Sequence, residues 1–195
     1  MKRSLNTTVL GILMSVCVLQ LTDAQFVIEA QFRPRAEYSH GYASLADQDQ
    51  DPSFFVSQRT RLSLAYTQPR LKTRLDLQDV RFWGGQRQLT GNHDFAASIH
   101  QAWFEYEFAT DFYIKAGRQE VVYNSHRIFG NVGWAQQGRT HDLALLKYEN
   151  NFKLHTGFAW HQNGNRTNNL YLGPDAYKSI QFAWFNKSWE NADLS

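Results

Sequence analysis

The segment that decides the fold runs from Phe26 to Tyr38, FVIEAQFRPRAEY. Its apolar residues recur at every second position, and charged or amide side chains fill most positions between them. A period of two is typical of a β-strand whose two faces meet different surroundings. One parity holds Phe26, Ile28, Ala30, Phe32, Pro34, Ala36 and Tyr38, and the other holds Glu29, Gln31, Arg33, Arg35 and Glu37. The segment therefore predicts a strand with one apolar and one charged face.

Residues 1–24 have the features of a secretory signal. A basic start precedes a mostly apolar run, Val9 to Leu21, and Thr22-Asp23-Ala24 supplies small residues at the expected cleavage position. The run is too short for a spanning helix, which needs about 20 apolar residues. We therefore predict export and a mature chain that begins at Gln25. Cleavage also removes Cys17, the one cysteine of the sequence, so the exported protein is expected to lack disulfides.

The composition favours an exported β-protein without deciding between two kinds. The formal net charge of +2 argues against a nucleic-acid partner. Aromatic residues make up 15% of the chain, although its mean hydropathy is −0.52. Many aromatic residues in a polar exported chain are typical of an outer-membrane β-barrel with aromatic girdles. They fit a secreted carbohydrate-binding sandwich nearly as well.

The alternation recurs along the chain and predicts eight strands. The sixth is ambiguous because its leucines occupy both parities, and the eighth places Ile180, Phe182 and Trp184 on one face. The predicted strands are Phe26–Tyr42, Phe55–Thr67, Leu71–Phe82, His100–Phe108, Phe112–Tyr123, Asp142–Tyr148, Phe152–Trp160 and Tyr177–Asn186.

The predicted connections alternate between short and long. The short ones are Gln68–Arg70, Ala109–Asp111 and Glu149–Asn151, and the long ones are Ala43–Phe54, Trp83–Ile99, Asn124–His141 and Gln162–Ala176. Outer-membrane barrels have short periplasmic turns and longer external loops, whereas a soluble sandwich has no reason to sort its loops in this way. A ten-residue strand tilted by about 45° rises roughly 24 Å, which matches the lipid-facing band of such barrels. Periodicity alone also fits a soluble lipocalin-like barrel, in which the apolar face points inward.

We therefore predict an all-β fold, an antiparallel transmembrane β-barrel of the outer-membrane type. Eight strands use the chain up to about Asn186, and Ala192-Asp193-Leu194-Ser195 resembles the start of a ninth. Porin-sized barrels of about 16–18 strands need about twice this length. Residues 25–195 are accordingly predicted to form the first eight or so strands of a larger barrel, incomplete at the C-terminal end. The alternative is a complete eight-stranded barrel with a short tail.

Basic side chains crowd the charged face of the first strands. If this face lines a lumen, its low-dielectric walls focus the positive field and concentrate anions. A guanidinium also suits carboxylates because it donates two parallel hydrogen bonds. Acidic residues on the same face can instead neutralise these groups in cross-strand pairs, so both interpretations stay open. The candidate anion-path residues are Arg33, Arg35, Arg59, Arg61, Lys72, Arg74, Lys115 and Arg118.

The fifth strand and the loop after it form a second candidate region. Strict alternation turns Arg118 toward lipid, which is costly, and a bulge at Gly117 would return Arg118 and Glu120 to the lumen. The loop Asn124–His141 either folds inward and narrows a pore or is an ordinary external loop. The candidate constriction or loop-anchoring residues are Arg127, Trp134, Gln136, Gln137 and Arg139.

Four motifs together resemble the alginate export family of bacterial outer-membrane porins, and they occur in the same order across most of the mature chain. The resemblance implies a monomeric barrel of roughly 18 strands whose electropositive constriction passes polyanionic polysaccharide. It also implies pore or loop-anchoring roles for Arg118 and Arg139. The chain departs from the family pattern at Gly133, where an acidic residue is common, and at His141, where phenylalanine is common. The motifs are Arg33-Pro34-Arg35-Ala36-Glu37-Tyr38, Gln58-Arg59-Thr60-Arg61-Leu62, Gly117-Arg118-Gln119-Glu120 and Trp134-Ala135-Gln136-Gln137-Gly138-Arg139-Thr140.

Neither a Gly-x-Ser-x-Gly elbow nor a His-Glu-x-x-His metal motif occurs in the sequence. We predict no catalytic residue, no metal and no cofactor. The first functional hypothesis is a passive channel of the bacterial outer membrane for anionic solutes or polysaccharide, with outer-membrane lipid around it. The second is a small binding or structural barrel, and the third is an outer-membrane hydrolase, which nothing in the residue spacing favours.

Overall fold

The computed structural model describes residues 25–41, 47, 49–86, 88, 97–161, 177–189 and 192–194. The predicted signal, residues 1–24, lies outside this part of the chain. Every regular element of the described part is a β-strand. Within the same residues, no helix is long and apolar enough to span a bilayer.

All eight predicted strands are present, and a short ninth follows them. Their bounds are β1 Gln25–Ser39, β2 Ser53–Gln68, β3 Leu71–Phe82, β4 Ala97–Ala109, β5 Phe112–Gln119, β6 His141–Glu149, β7 Lys153–Trp160, β8 Ser179–Trp189 and β9 Ala192–Leu194. Four predicted bounds were wrong by three or four residues, among them the start of β4, which lies at Ala97 rather than His100. β5 ends at Gln119 rather than Tyr123. The chain leaves the sheet at Glu120, whose carboxylate hydrogen-bonds with His100 and Asn131. β8 is shifted toward Trp189, and β1 ends at Ser39, before Tyr42.

The strands form one antiparallel meander in which each strand pairs with its neighbours in sequence. Residues Arg33 and Arg59 are direct cross-strand partners, and the register continues strand by strand through β8. Pro34 lies in β1, which borders only β2 among the described strands, and an edge strand tolerates the missing amide donor. In this part of the chain β1 makes no contact with β8 or β9, so the sheet is not closed.

The predicted sorting of the connections is confirmed. Residues 69–70, 110–111 and 150–152 make the short turns between β2 and β3, β4 and β5, and β6 and β7. The long connections join the opposite ends of the strands. We call the two ends of the sheet the turn end and the loop end.

The two faces of the sheet differ in burial, and residues 120–140 account for the difference because they lie across one face. We call this segment the crossing loop and the two faces the covered face and the open face. Polar side chains of the covered face are buried, with Asp76 0% and Arg59 5% exposed. Apolar side chains of the open face are bare, with Phe32 64% and Phe158 58% exposed. This distribution is the reverse of the one in a soluble lipocalin-like barrel.

The covered face is not uniformly charged. On β6 to β8 it carries Leu143, Leu145 and Ala159, which are buried together with Val121 of the crossing loop. Register places Ile180, Phe182 and Trp184 on this same face, since they pair with Ala159, Gly157 and His155. One half of the covered face is therefore polar and the other half is apolar and aromatic.

Candidate functional site

The crossing loop folds over the sheet and reaches the far strands β1 and β2. Four strand spacings, about 19 Å, separate β5 from β1. Gln136 makes the contact at the far side, where its amide donates to Ser57 Oγ at 2.9 Å. Only 4% of Gln136 is exposed. The loop therefore folds across the covered face of the sheet instead of extending away from the strand ends, and the narrowing of a pore stays a prediction.

Arg33 holds the loop against β1. Its guanidinium donates to the carbonyl oxygens of Gly133 at 2.8 Å and Ala135 at 2.7 Å. It also donates twice to Gln136 Oε1, at 3.0 and 2.9 Å. Arg35 adds a bond to the Trp134 carbonyl at 3.0 Å. The planar fork of arginine suits this cluster of acceptors, which a lysine could not reach in the same geometry.

Arg59, the cross-strand partner of Arg33, also contacts the crossing loop. It donates to Gln31 Oε1 at 2.9 Å and to the Gln136 carbonyl at 3.4 Å. Gln78 of β3 donates to the Gln137 carbonyl at 2.8 Å. We call the contact of Arg33, Arg59, Ser57 and Gln78 with residues 133–137 the seam. Its acceptors are mainly neutral amide and carbonyl oxygens.

Glu120 links the start of the crossing loop to strands β4 and β2. His100 Nε2 lies 2.8 Å from its Oε1, and Asn131 donates to its Oε2 at 2.9 Å. Arg61 lies 3.6 Å from the same carboxylate. Burial raises the pKa of Glu120, but these hydrogen bonds and charges outweigh it and hold that pKa below the ordinary 4.5. The carboxylate is therefore charged under neutral conditions.

A bulge in β4 brings His100 to this carboxylate. The β3–β4 register shifts between Asp76 and Leu77, which pair with Gln101 and Ile99. His100 is left between these pairs and is 4% exposed on the covered face. Sequence reasoning missed His100 and Asn131, although the Ile99-His100 step already breaks the alternation of β4.

Several candidate anion-path residues form ion pairs. Arg74 lies 2.8 Å from the fully buried Asp76, and Lys72 lies 3.4 Å from Glu105. Lys147, outside the candidate set, bridges Glu105 and Glu149 at 2.8 and 2.7 Å. For these positions the ion-pair interpretation describes the observed contacts. Arg35, Arg61 and Arg118 are likewise paired, with Glu37, Glu120 and Asp142.

Arg33, Arg59 and Lys115 differ from the others, because none of them forms an ion pair within the described residues. The Lys115 ammonium lies 3.8 Å from the centroid of the Trp103 ring, a cation–π contact. Within the described residues, the candidate basic side chains of the covered face that form no ion pair therefore lie at the seam and at Lys115.

The predicted bulge at Gly117 is absent. Pairing with β4 and β6 runs through Gly117 without a register shift, and Arg118 is opposite Ala102 and Asp142. The Arg118 side chain is 46% exposed and donates to Asp142 at 3.2 Å. A positive φ of 120° at Gly117 takes the place of the bulge. Glu120 reaches the covered face because β5 ends before it.

The root of the crossing loop packs on the aromatic half of the covered face. The Tyr123 ring stacks on Trp184 at 4.6 Å, and Phe129 lies 4.4 Å from Phe182. The Tyr123 hydroxyl lies 2.9 Å from His155 Nδ1, and His155 Nε2 lies 2.8 Å from Glu149. Burial raises the pKa of Tyr123, so its hydroxyl keeps its proton and this chain of groups serves as an anchor.

The remaining loop candidates border open space. Arg139 lines a cavity of about 920 Å³ together with Phe129, His141 and Tyr177. Arg127 lines a second cavity of about 390 Å³ beside Trp184. The Trp134 ring is 78% exposed. The structure thus brings Gln136 and the Gln137 backbone to the seam and leaves the side chains of Arg127, Trp134 and Arg139 free of it.

The described residues contain no cluster of three or more side chains suited to bind a metal ion. A scan of the chain against protein-family models finds no match, and a search of the curated proteins finds no similar sequence.

Proposed function

We propose that this chain forms part of the wall of a bacterial outer-membrane channel that passes anionic solutes or anionic polysaccharide by diffusion. The observation that carries the proposal is the inverted burial of the sheet. Apolar residues such as Phe32 and Ile28 are 64% and 62% exposed, whereas Asp76 and Gln119 are both 0% exposed. Lipid against the open face and water in the path along the covered face would make this arrangement favourable.

Aromatic residues on the open face support the proposal. At the turn end the rings of Phe108, Phe112, Tyr148, Phe152 and Phe185 follow one another at 6.2, 5.0, 4.7 and 5.6 Å. At the loop end Tyr38, Phe54 and Trp160 are exposed. Phe54 and Tyr66 of β2 are about 12 residues apart, which at 45° tilt gives a rise of roughly 28 Å. That rise suits two girdles at the two interfaces of a bilayer.

Closure is the second requirement of the proposal. A sheet that crosses a bilayer must pair every backbone group, so the free edges of the described sheet need further strands. We propose a barrel larger than the described strands, of about 16–18 strands, with these strands as its first part. A monomeric barrel of this size has room for a lumen that the crossing loop narrows.

The positive charge at the seam gives the proposed channel its preference for anions. Arg33 and Arg59 are direct cross-strand partners, and neither forms an ion pair within the described residues, so Glu120 offsets their positive field only in part. A water-filled path with low-dielectric walls extends such a field and raises the local anion concentration.

Planar-bilayer recording of the full-length protein tests this function. We expect single channels whose reversal potential in a KCl gradient indicates preference for chloride. Arg33→Gln is expected to lower that preference more than Lys72→Gln, because Lys72 is already paired with Glu105. Absence of conductance, or a cation preference that neither substitution changes, would contradict the proposal.

A further inference from the structure

We propose that the seam is a binding site for an oxyanion group, a carboxylate, sulfate or phosphate, whose binding releases residues 133–137 of the crossing loop from β1 and β2. The inference deepens the proposed function and rests on it for the solute that would supply the anion. Its basis is the pairing of two arginines with neutral acceptors.

The first step concerns the arginines themselves. Arg33 and Arg59 face each other across β1 and β2 on the covered face. Like charges directly opposite each other destabilise a sheet, and here no carboxylate among the described residues separates them. Arg61 adds a third guanidinium close by, although Glu120 lies 3.6 Å from it. An oxyanion between Arg33 and Arg59 would remove this repulsion.

The second step concerns what occupies the arginines now. All four hydrogen bonds of Arg33 end on two backbone carbonyls and one side-chain amide oxygen of the loop. A charged oxygen acceptor binds a guanidinium about twice as strongly as a neutral one. The anion therefore competes with the Gly133 and Ala135 carbonyls and Gln136 Oε1 for the same N–H groups.

The third step concerns what would move. The contacts around Tyr123 and Glu120 do not involve Arg33 or Arg59, and they hold the root of the loop. Arg33 is partly exposed, so an anion in the path reaches it without unfolding of the sheet. Loss of the seam would free the far part of the loop and widen the narrowest part of the path.

Hydrogen–deuterium exchange on the full-length protein in detergent tests the site. We compare sodium sulfate with sodium chloride at equal ionic strength and follow the amides of residues 133–137. Sulfate is expected to raise their exchange roughly tenfold, the factor that about 1.4 kcal/mol of lost docking free energy corresponds to. Exchange that sulfate leaves unchanged, or slows, would overturn the proposal.

Two variants locate the effect. Arg33→Lys keeps the charge but lacks the planar fork, so it is expected to need about tenfold more sulfate for the same response. Lys72→Arg, whose ammonium is bound to Glu105 away from the seam, is the matched control and is expected to respond like the wild type. Equal sulfate dependence in all three proteins would overturn the assignment to Arg33.

A further arm separates a solute from a free inorganic anion. If digalacturonate raises the amide exchange at a lower concentration than sulfate does, the site is assigned to carboxylated solutes. If only sulfate raises the exchange, the site is assigned to small anions. The exchange is measured without a membrane potential or conductance. A sulfate response in a protein that forms no channel therefore supports the anion site and contradicts the channel function. Conductance in a protein without a sulfate response supports the channel function and contradicts the anion site.

Discussion

Most charged side chains buried on the covered face are tolerated because they contact a partner of matching chemistry. Asp76 is fully buried, yet it accepts hydrogen bonds from Arg74 at 2.8 Å and Gln101 at 2.8 Å. An unpaired buried charge would cost several kcal/mol, whereas a paired and hydrogen-bonded one is close to balanced. Arg33 and Arg59 differ from the paired charges of the covered face because their hydrogen-bond acceptors are neutral oxygens.

Gly117 is a position where a single methyl group is expected to be costly. A Cβ there would lie 2.2 Å from the Ala102 carbonyl oxygen, and the φ of 120° disfavours other residues. Gly117→Ala should lower the free energy of unfolding by roughly 2–4 kcal/mol through strain and overpacking. Urea unfolding in detergent measures it. Gly133→Ala is the control, since its nearest atom would be 3.4 Å away; equal stability of both variants would contradict the prediction.

Glu120 is expected to make loop docking depend on pH. Its pKa in the folded protein is below the ordinary 4.5, so its charge stabilises docking above the unfolded pKa. That contribution is lost as pH falls through the lower, folded pKa. Limited proteolysis between pH 7 and 3 should show the crossing loop becoming cleavable only below about pH 4.5. Glu120→Gln should remove this transition, and a variant that keeps it would show that another group is responsible.

At the scale of elements, the crossing loop is held at its two ends by different forces. Near Tyr123 and Phe129 it packs aromatic rings on β8, where burial of apolar surface dominates. At residues 133–137 it is held by hydrogen bonds from arginines. Ring packing involves no hydrogen bond for which an anion could compete, whereas the arginine hydrogen bonds at the polar end are open to such competition. This asymmetry is what the proposed release of the loop from one side requires.

Gln136 carries the docking of this element. Gln136→Ala removes the acceptor of two Arg33 hydrogen bonds and the donor to Ser57. Bonds to charged groups contribute about 1.5–3 kcal/mol, so amides of residues 133–137 should exchange at least tenfold faster. Gln137→Ala is the control, because only its backbone carbonyl is used by Gln78. Faster exchange in both variants, or in neither, would remove Gln136 from this role.

At the scale of the whole molecule, the open face is largely apolar between the two girdles, and the ion pairs Asp79–Arg81 and Arg118–Asp142 lie on the same face toward the loop end. Ile28, Leu62, Leu77 and Ile99 lie between the aromatic ends and are at least 40% exposed. Exposed apolar area of this extent marks a contact surface rather than a face in water. Lipid is the partner that the proposed function assigns to it.

A cation placed on this face distinguishes lipid from water. Phe32→Lys, near the middle of β1, should destabilise the full-length protein by roughly 2–4 kcal/mol in phospholipid vesicles, the cost of a lysine at the bilayer midplane. Gln50→Lys, in the connection after β1, is the matched control and should leave stability within about 0.5 kcal/mol. Unfolding monitored by tryptophan fluorescence measures both. A neutral Phe32→Lys would indicate that the open face meets water.

Alternation in the sequence predicted the strands closely, because the two-residue period follows directly from the geometry of an extended chain. Leu71–Phe82 begins and ends as predicted, and the three short turns lie where predicted. The local pattern does not record register. The pattern therefore predicted a bulge at Gly117. The observed register shift instead lies between β3 and β4 beside Asp76, where His100 is the extra residue.

By itself, then, the sequence determined that this chain is an antiparallel sheet with sorted connections, a two-faced strand at Phe26–Tyr38 and a basic set of side chains. Only the tertiary structure decided which basic residues are neutralised, because ion pairs form between strands far apart in sequence. It alone also decided that residues 120–140 cross to β1 and that Arg33, on the charged parity of that first strand, binds neutral oxygens. Strand periodicity is a local property of the backbone, whereas charge balance is a property of neighbours in space.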